Sequence, residues 1–202
     1  MNLKPRLGLA LGLSVVLAGV VAPFAHASLV IALDLPTMVE RADHVAVVDV
    51  AAVSAAWDAQ HARILTTIDL SVVDAWKGPM TPASHLRIVQ PGGTVGDIQM
   101  TVFGMSRFSP GERALVFLRG TPEAASVVGM AQGKRLVGRD VATGRWMVHA
   151  PEPAGASFVR AAPTPAQPHS TTATPPIFET RPRALDELRA EVRGLVGKAT
   201  GR

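Results

Sequence analysis

His44-Val45-Ala46-Val47-Val48-Asp49-Val50-Ala51-Ala52-Val53 and Ile64-Leu65-Thr66-Thr67-Ile68-Asp69-Leu70-Ser71-Val72-Val73 decide how this chain folds. The first stretch is rich in valine and reads as a strand that is largely buried. In the second, Ile64, Thr66, Ile68, Leu70 and Val72 alternate with Leu65, Thr67, Asp69, Ser71 and Val73, the period of two that gives a strand one wetter face. Residues 54–62 join the two as a hairpin loop containing Trp57. Downstream the same grammar repeats. Lys77-Gly78-Pro79 stops the long strand, Leu86–Val89 starts another, and Pro91-Gly92-Gly93 turns the chain because glycine reaches positive φ without a steric cost. Ile98, Met100 and Val102 alternate again, and Ser109-Pro110-Gly111-Glu112 turns into the apolar run Ala114–Leu118. Val127–Met130, Leu136–Val137 and Arg145–Val148 add two or three short strands, spaced by Gly133, Gly138 and Gly144. Seven or eight strands with frequent turn signals predict a mainly β protein, a sandwich or a closed barrel. The length of the 64–75 strand favours the barrel.

Two helical stripes flank this body. Leu35, Met38, Val39 and Ala42 share one face of a short helix, with Asp34 placed to cap it and Pro36 in its first turn. Leu185, Leu188, Val192 and Leu195 give a terminal helix over 183–199, which Gly194 weakens and Gly197 ends. Residues 151–182 hold eight of the sixteen prolines together with Ser and Thr, so they read as an extended linker. At the other end, Lys4 and Arg6, an apolar run from Leu7 to Val21 and Ala25-His26-Ala27 follow one another as the three parts of a signal peptide. The predicted organisation is therefore a leader over 1–27 cleaved before Ser28, a β-barrel domain over 28–150, the linker and the helix. It predicts an exported chain, periplasmic or extracellular, that does not span the membrane.

Composition removes several chemistries. The chain has no cysteine, which excludes disulfide frameworks, zinc–thiolate sites and thiol catalysis. Its net charge is +4, but Lys4 and Arg6 lie in the leader, and the remaining surplus of two over so long a chain is too weak a field to argue for nucleic acid. Trp57, Trp76 and Trp146 are isolated from one another and from basic clusters, so no base-stacking platform is legible. His44, His61, His85, His149 and His169 show no metal-ligand spacing. Gly104-Met105-Ser106-Arg107-Phe108 lacks the closing glycine of a nucleophile elbow, and Pro110-Gly111 rather than a helix follows. Gly92-Gly93-Thr94-Val95-Gly96 leads into a strand and lacks a lysine, so it reads as a hairpin connection and not a phosphate loop. No catalytic residue, metal ligand or cofactor is predicted.

Several of these stretches are familiar together. Leu35-Pro36, then Ala42-Asp43-His44-Val45, resembles the helix-to-strand opening of netrin-like domains. Ile64–Val72 followed by Ala75-Trp76-Lys77-Gly78 is similar to their long second strand and its Trp/Phe-Lys-Gly turn. Phe108-Ser109-Pro110-Gly111-Glu112-Arg113-Ala114-Leu115-Val116-Phe117-Leu118 is similar to their Gly-Glu-x-Tyr-Leu-Val-Phe strand. The resemblance spans residues 34–120. Val127-Val128-Gly129-Met130-Ala131-Gln132-Gly133-Lys134 also looks like a stretch found in exported bacterial proteins. The family includes the tissue inhibitors of metalloproteinases, so the resemblance implies an OB-type five-stranded barrel and a protein partner, a metalloprotease among the candidates. The inhibitors' N-terminal cysteine is replaced here by Ser28.

The function expected is a non-enzymatic binding module. Its contact residues would be Ser28 at the mature N-terminus and Trp57, Gly92 and Gly93 in the loops, within segments 54–62, 78–84 and 91–97. Two alternatives stand beside it. One is an envelope-associated structural protein with the proline-rich segment as spacer and the last helix as docking element. The other is a hydrolase using His61 or His85 with an acid.

Overall fold

In a computed structural model, residues 28–151, 156–159 and 181–200 are described. The fold is mainly β. Twelve strands occur among these residues: β1 (Ser28–Ile31), β2 (His44–Trp57), β3 (Ile64–Lys77), β4 (His85–Pro91), β5 (Gly93–Val95), β6 (Ile98–Met100), β7 (Arg113–Thr121), β8 (Ala124–Val127), β9 (Lys134–Arg139), β10 (Trp146–Val148), β11 (Ala156–Val159) and β12 (Arg183–Ala184). Helix α1 (Leu35–Arg41) precedes β2, helix α2 (Leu185–Thr200) ends the described chain, and a 3-10 turn spans Met130–Gly133. Eight strands form one sheet in the order β12-β10-β9-β7-β2-β3-β4-β8, and β8 also pairs with β7. The predicted leader lies outside the described residues.

Period-two side chains explain why this sheet is buried on both faces along β2 and β7. Ala46, Val48 and Val50 point the same way as Ile68, Leu70, Val72, Leu86, Ile88, Ala114, Val116 and Leu118, and together they form one core. Val45, Val47, Leu115 and Phe117 point the opposite way, into a second core covered by Leu35, Met38 and Val39 of α1 and Leu188 and Val192 of α2. A strand between two cores has no wet face, hence the unbroken apolar runs in β2 and β7. Ile68, Leu70 and Val72 of β3 face the first core alone, hence the alternation there, whereas Val73 and Trp76 near its end pack into the second.

Both helices are fastened by polar contacts as well. Asp34 caps α1, its Oδ1 accepting from the Thr37 amide at 2.8 Å. At the other end of α1, the Lys77 ammonium donates to the carbonyls of Val39 at 2.8 Å and Ala42 at 2.6 Å. On α2, Arg189 reaches Asp74 at 2.9 Å, and Asp74 also accepts from the Trp76 indole at 2.8 Å. The Trp-Lys-Gly turn thus ties the second strand of the hairpin to both helices.

Several boundaries differ from the sequence reading, including the strand read at Val127–Met130, which is β8 at Ala124–Val127 followed by the 3-10 turn at Met130–Gly133. β2 continues through Trp57, so Ser54–Trp57 are strand and not loop; Ala55 and Trp57 stay registered with Thr66 and Ile64. The 91–97 connection is largely a second hairpin, β5 with β6. Within the stretch read as linker, Ala156–Val159 form β11, which pairs in parallel with β1 as a separate two-stranded sheet.

Candidate functional site

Trp57 closes β2 and starts the shortest connection between long strands. The loop after it is held by one carboxylate. Asp58 Oδ1 accepts from the Ala62 amide at 2.8 Å, Oδ2 lies 3.2 Å from Arg63 Nε, and the Asp58 carbonyl accepts from the His61 amide at 2.9 Å. Chiefly the Ala62 amide holds the Asp58 carboxyl below its usual range. His61 takes the left-handed conformation at φ 51°, and its ring stacks on Trp57 with centroids 6.3 Å apart. The loop is therefore internally bonded, and His61 folds back onto Trp57 at its base.

Gly92 and Gly93 arrive at the same place by a nonlocal route. Trp57 is registered with Ile64, and the Ile64 carbonyl accepts from the Gly92 amide at 2.9 Å. Thr66 Oγ1 donates to the Gly92 carbonyl at 2.6 Å. A Cβ on Gly93 would lie 2.5 Å from Thr66 Oγ1 and 2.9 Å from the Ala55 Cβ, and its φ is 131°. Only glycine lets the β5–β6 hairpin lie this close across β2 and β3. Three of the four predicted contact residues thus meet around Ile64.

Ser28 is not among them. It lies in β1 opposite Ala156, and the end of that arm is held by Gln132. Gln132 is 2% exposed, accepts from the Leu33 amide at 2.7 Å and donates to the Ile31 carbonyl at 3.0 Å. A chain of further bonds links this clamp to the end of β4: Ala131 N to Gly104 O at 2.8 Å, Ser106 Oγ to Met130 O at 3.2 Å, and Gln90 Nε2 to Ser106 O at 2.7 Å. Below it, the ammonium of Lys134 sits 2.8 Å from Glu112 Oε1, bonds the Arg107 carbonyl and lies over the Phe108 ring. Segment 104–112 is therefore pinned to β4, β9 and the 3-10 turn.

Of the exposed large apolar side chains among the described residues, Ile31 at 55%, Val89 and Phe103 at 49% lie beside these bonds, and Ile98 at 54% lies on the separate β5–β6 hairpin. The sequence reading did not single out Ile98 or Phe103, because alternation assigned Ile98, Met100 and Val102 to a strand without saying which side was covered. Gln132 was equally hidden. Its only signal was the Gly-x-x-Gln-Gly-Lys stretch.

Among the described residues no three of His, Asp and Glu are placed to hold a metal ion. His85 is registered with Ser71, whereas His61 lies beyond Ile64, about seven residues or ~23 Å along β3. The structure does not bring those two histidines together. Among the described residues no helix is long and apolar enough to cross a membrane. Comparison of the chain with family models, curated proteins and solved structures finds no match.

Proposed function

We propose that this protein is an exported, non-enzymatic binding module on an OB-type, netrin-like barrel, and that it holds a protein partner at the Trp57 and Gly92–Gly93 end. The barrel reading is supported by the pairing pattern. Passing from β7 through β2, β3 and β4 to β8, each neighbour is hydrogen-bonded, and β8 pairs back to β7, with β4 and β8 parallel. The binding reading is carried by one observation: Ile98 and Phe103 stand half exposed, Ile98 on the β5–β6 hairpin that Gly92 seats against β3, and Phe103 beside Gly104, whose carbonyl accepts from the Ala131 amide. Large apolar side chains left in water gain free energy by leaving it on association, which is what an interface anchor supplies.

The test is capture from the culture fluid and envelope fraction with the immobilised wild-type chain and with Ile98→Asp and Phe103→Asp chains. Both positions are exposed, so both variants fold. A protein retained by the wild type and lost by both variants is the expected result. Identical retention by all three, or none by any, contradicts the reading.

A further inference from the structure

His44 opens β2 and is buried, 5% exposed, with one of its two ring nitrogens left over. Nε2 lies 3.0 Å from the Gly120 carbonyl, which can only accept, so Nε2 carries the ring hydrogen and Nδ1 is a bare lone pair. Nδ1 is shut off from solvent and has no hydrogen-bond partner. Against it stands the backbone of Gly78. A Cβ there would lie 2.6 Å from Nδ1 and 2.9 Å from the Asp43 carbonyl, and Gly78 sits at φ 96°. The glycine that ends the Trp-Lys-Gly turn thus closes the slot in which the ring is seated.

From that slot the start of β2 grips the end of β7. His44 holds the Gly120 carbonyl, and Asp43 Oδ2 accepts from the Gly120 amide at 2.8 Å. The Asp43 amide in turn donates to the Leu118 carbonyl at 2.8 Å. Gly120 is registered with Ala125 of β8, and Ala125 with Ile88 of β4, so the grip bears on the strand that pairs back across the sheet. The other charged groups near the ring in chain or register are Glu40 and Arg41 on α1, Lys77 beside Gly78, Arg119 beside Gly120 and Glu123 in the β7–β8 turn. Lys77 is committed to the carbonyls of Val39 and Ala42, and the other four are exposed. None of them bonds Nδ1.

We propose that His44 is an acid-operated latch: unprotonated, it locks the β7–β8 turn to the start of β2, and a proton taken up at Nδ1 unlocks it. That proton gives Nδ1 a hydrogen aimed at the Gly78 backbone, where no acceptor stands in bonding position. A buried donor and charge without a partner is costly, and the ring relieves it by leaving the slot, which gives up the Gly120 bond. Imidazole changes charge between about pH 5 and pH 8, above the range in which carboxylates ordinarily take up protons. The latch therefore answers to mild acid. It does not depend on the partner at the Trp57 end.

Nuclear magnetic resonance on the full chain between about pH 7.5 and about pH 5 tests it, reading the His44 ring nitrogens and amide exchange together. The Asp43 and Gly120 amides report on the latch, and the Val50 amide, bonded to the Glu112 carbonyl farther along β2, is the internal control. In the wild type the ring should gain its proton as the pH falls. Over the same range, exchange at Asp43 and Gly120 should quicken about tenfold relative to Val50, after correction for the intrinsic effect of pH. His44→Gln places an amide donor the same number of bonds from the backbone as Nε2 but takes up no proton, so it should show no such step. A ring that gains its proton while both amides keep their protection overturns the latch. So does a ring that stays neutral throughout, or the same quickening in His44→Gln. Should that variant not fold, the coincidence or separation of the two wild-type curves decides alone.

Discussion

At the scale of single residues, several charged side chains act as structural fasteners. Arg113 grips Asp49 with two bonds, at 2.7 and 2.8 Å, and its guanidinium also lies 4.9 Å from the centroid of Trp146. The hydrogen bond from Arg113 holds the Asp49 carboxyl below its ordinary value of 3.8, against the opposing effect of partial burial. A carboxyl depressed in the folded state contributes stability that is fully present above its unfolded pKa and is lost as pH falls through the lowered one. Asp49→Asn should therefore flatten the acid limb of stability below about pH 4. Because the Asp49 side chain is 44% exposed, screening should keep the loss at neutral pH within about 1 kcal/mol. Urea denaturation over a pH series checks both. Lys77 is more tightly held. Lys77→Met leaves the Val39 and Ala42 carbonyls without their donor, and should cost about 1–3 kcal/mol and speed amide exchange within α1.

Individual elements show where sequence periodicity speaks and where it falls silent. The mainly β character was legible because apolar side chains at period two leave no other way to segregate oil from water. The end of β2, Ser54–Trp57, was not. Ala55 and Ala56 are too small to announce a face, and that end stays a strand because β3 pairs with it through Trp57. Helix α2 runs through Gly194 and Gly197 to Thr200, beyond the end that glycine propensity sets, because Leu188 and Val192 are fully buried against the sheet and α1. Tertiary burial outweighs about 1 kcal/mol of helix propensity per glycine. Leu188→Ala should accordingly lose about 2–5 kcal/mol, read from the denaturation midpoint. Removing α2 altogether should bare the second core and produce dye-binding apolar surface.

On the scale of the whole molecule, everything rests on a sheet with a core on each face. The gathering of Trp57 with Gly92–Gly93 could not be read from the sequence, since it depends on β4 pairing with β3 and returning over Ile64. The Gln132 clamp was further from reach still: its bond to Leu33 spans 99 positions, and no periodicity marks a polar side chain buried by a partner so distant. Closure is the feature on which the barrel reading turns, and it involves few residues, Ile88 with Ala125 on one side of β8 and Leu118 with Val127 on the other. Nuclear Overhauser contacts across those two junctions measure it directly. Cross-strand contacts at both Ile88–Ala125 and Leu118–Val127 are predicted. Contacts at the second junction with a solvent-exchanging free edge along β4 would contradict the closed ring.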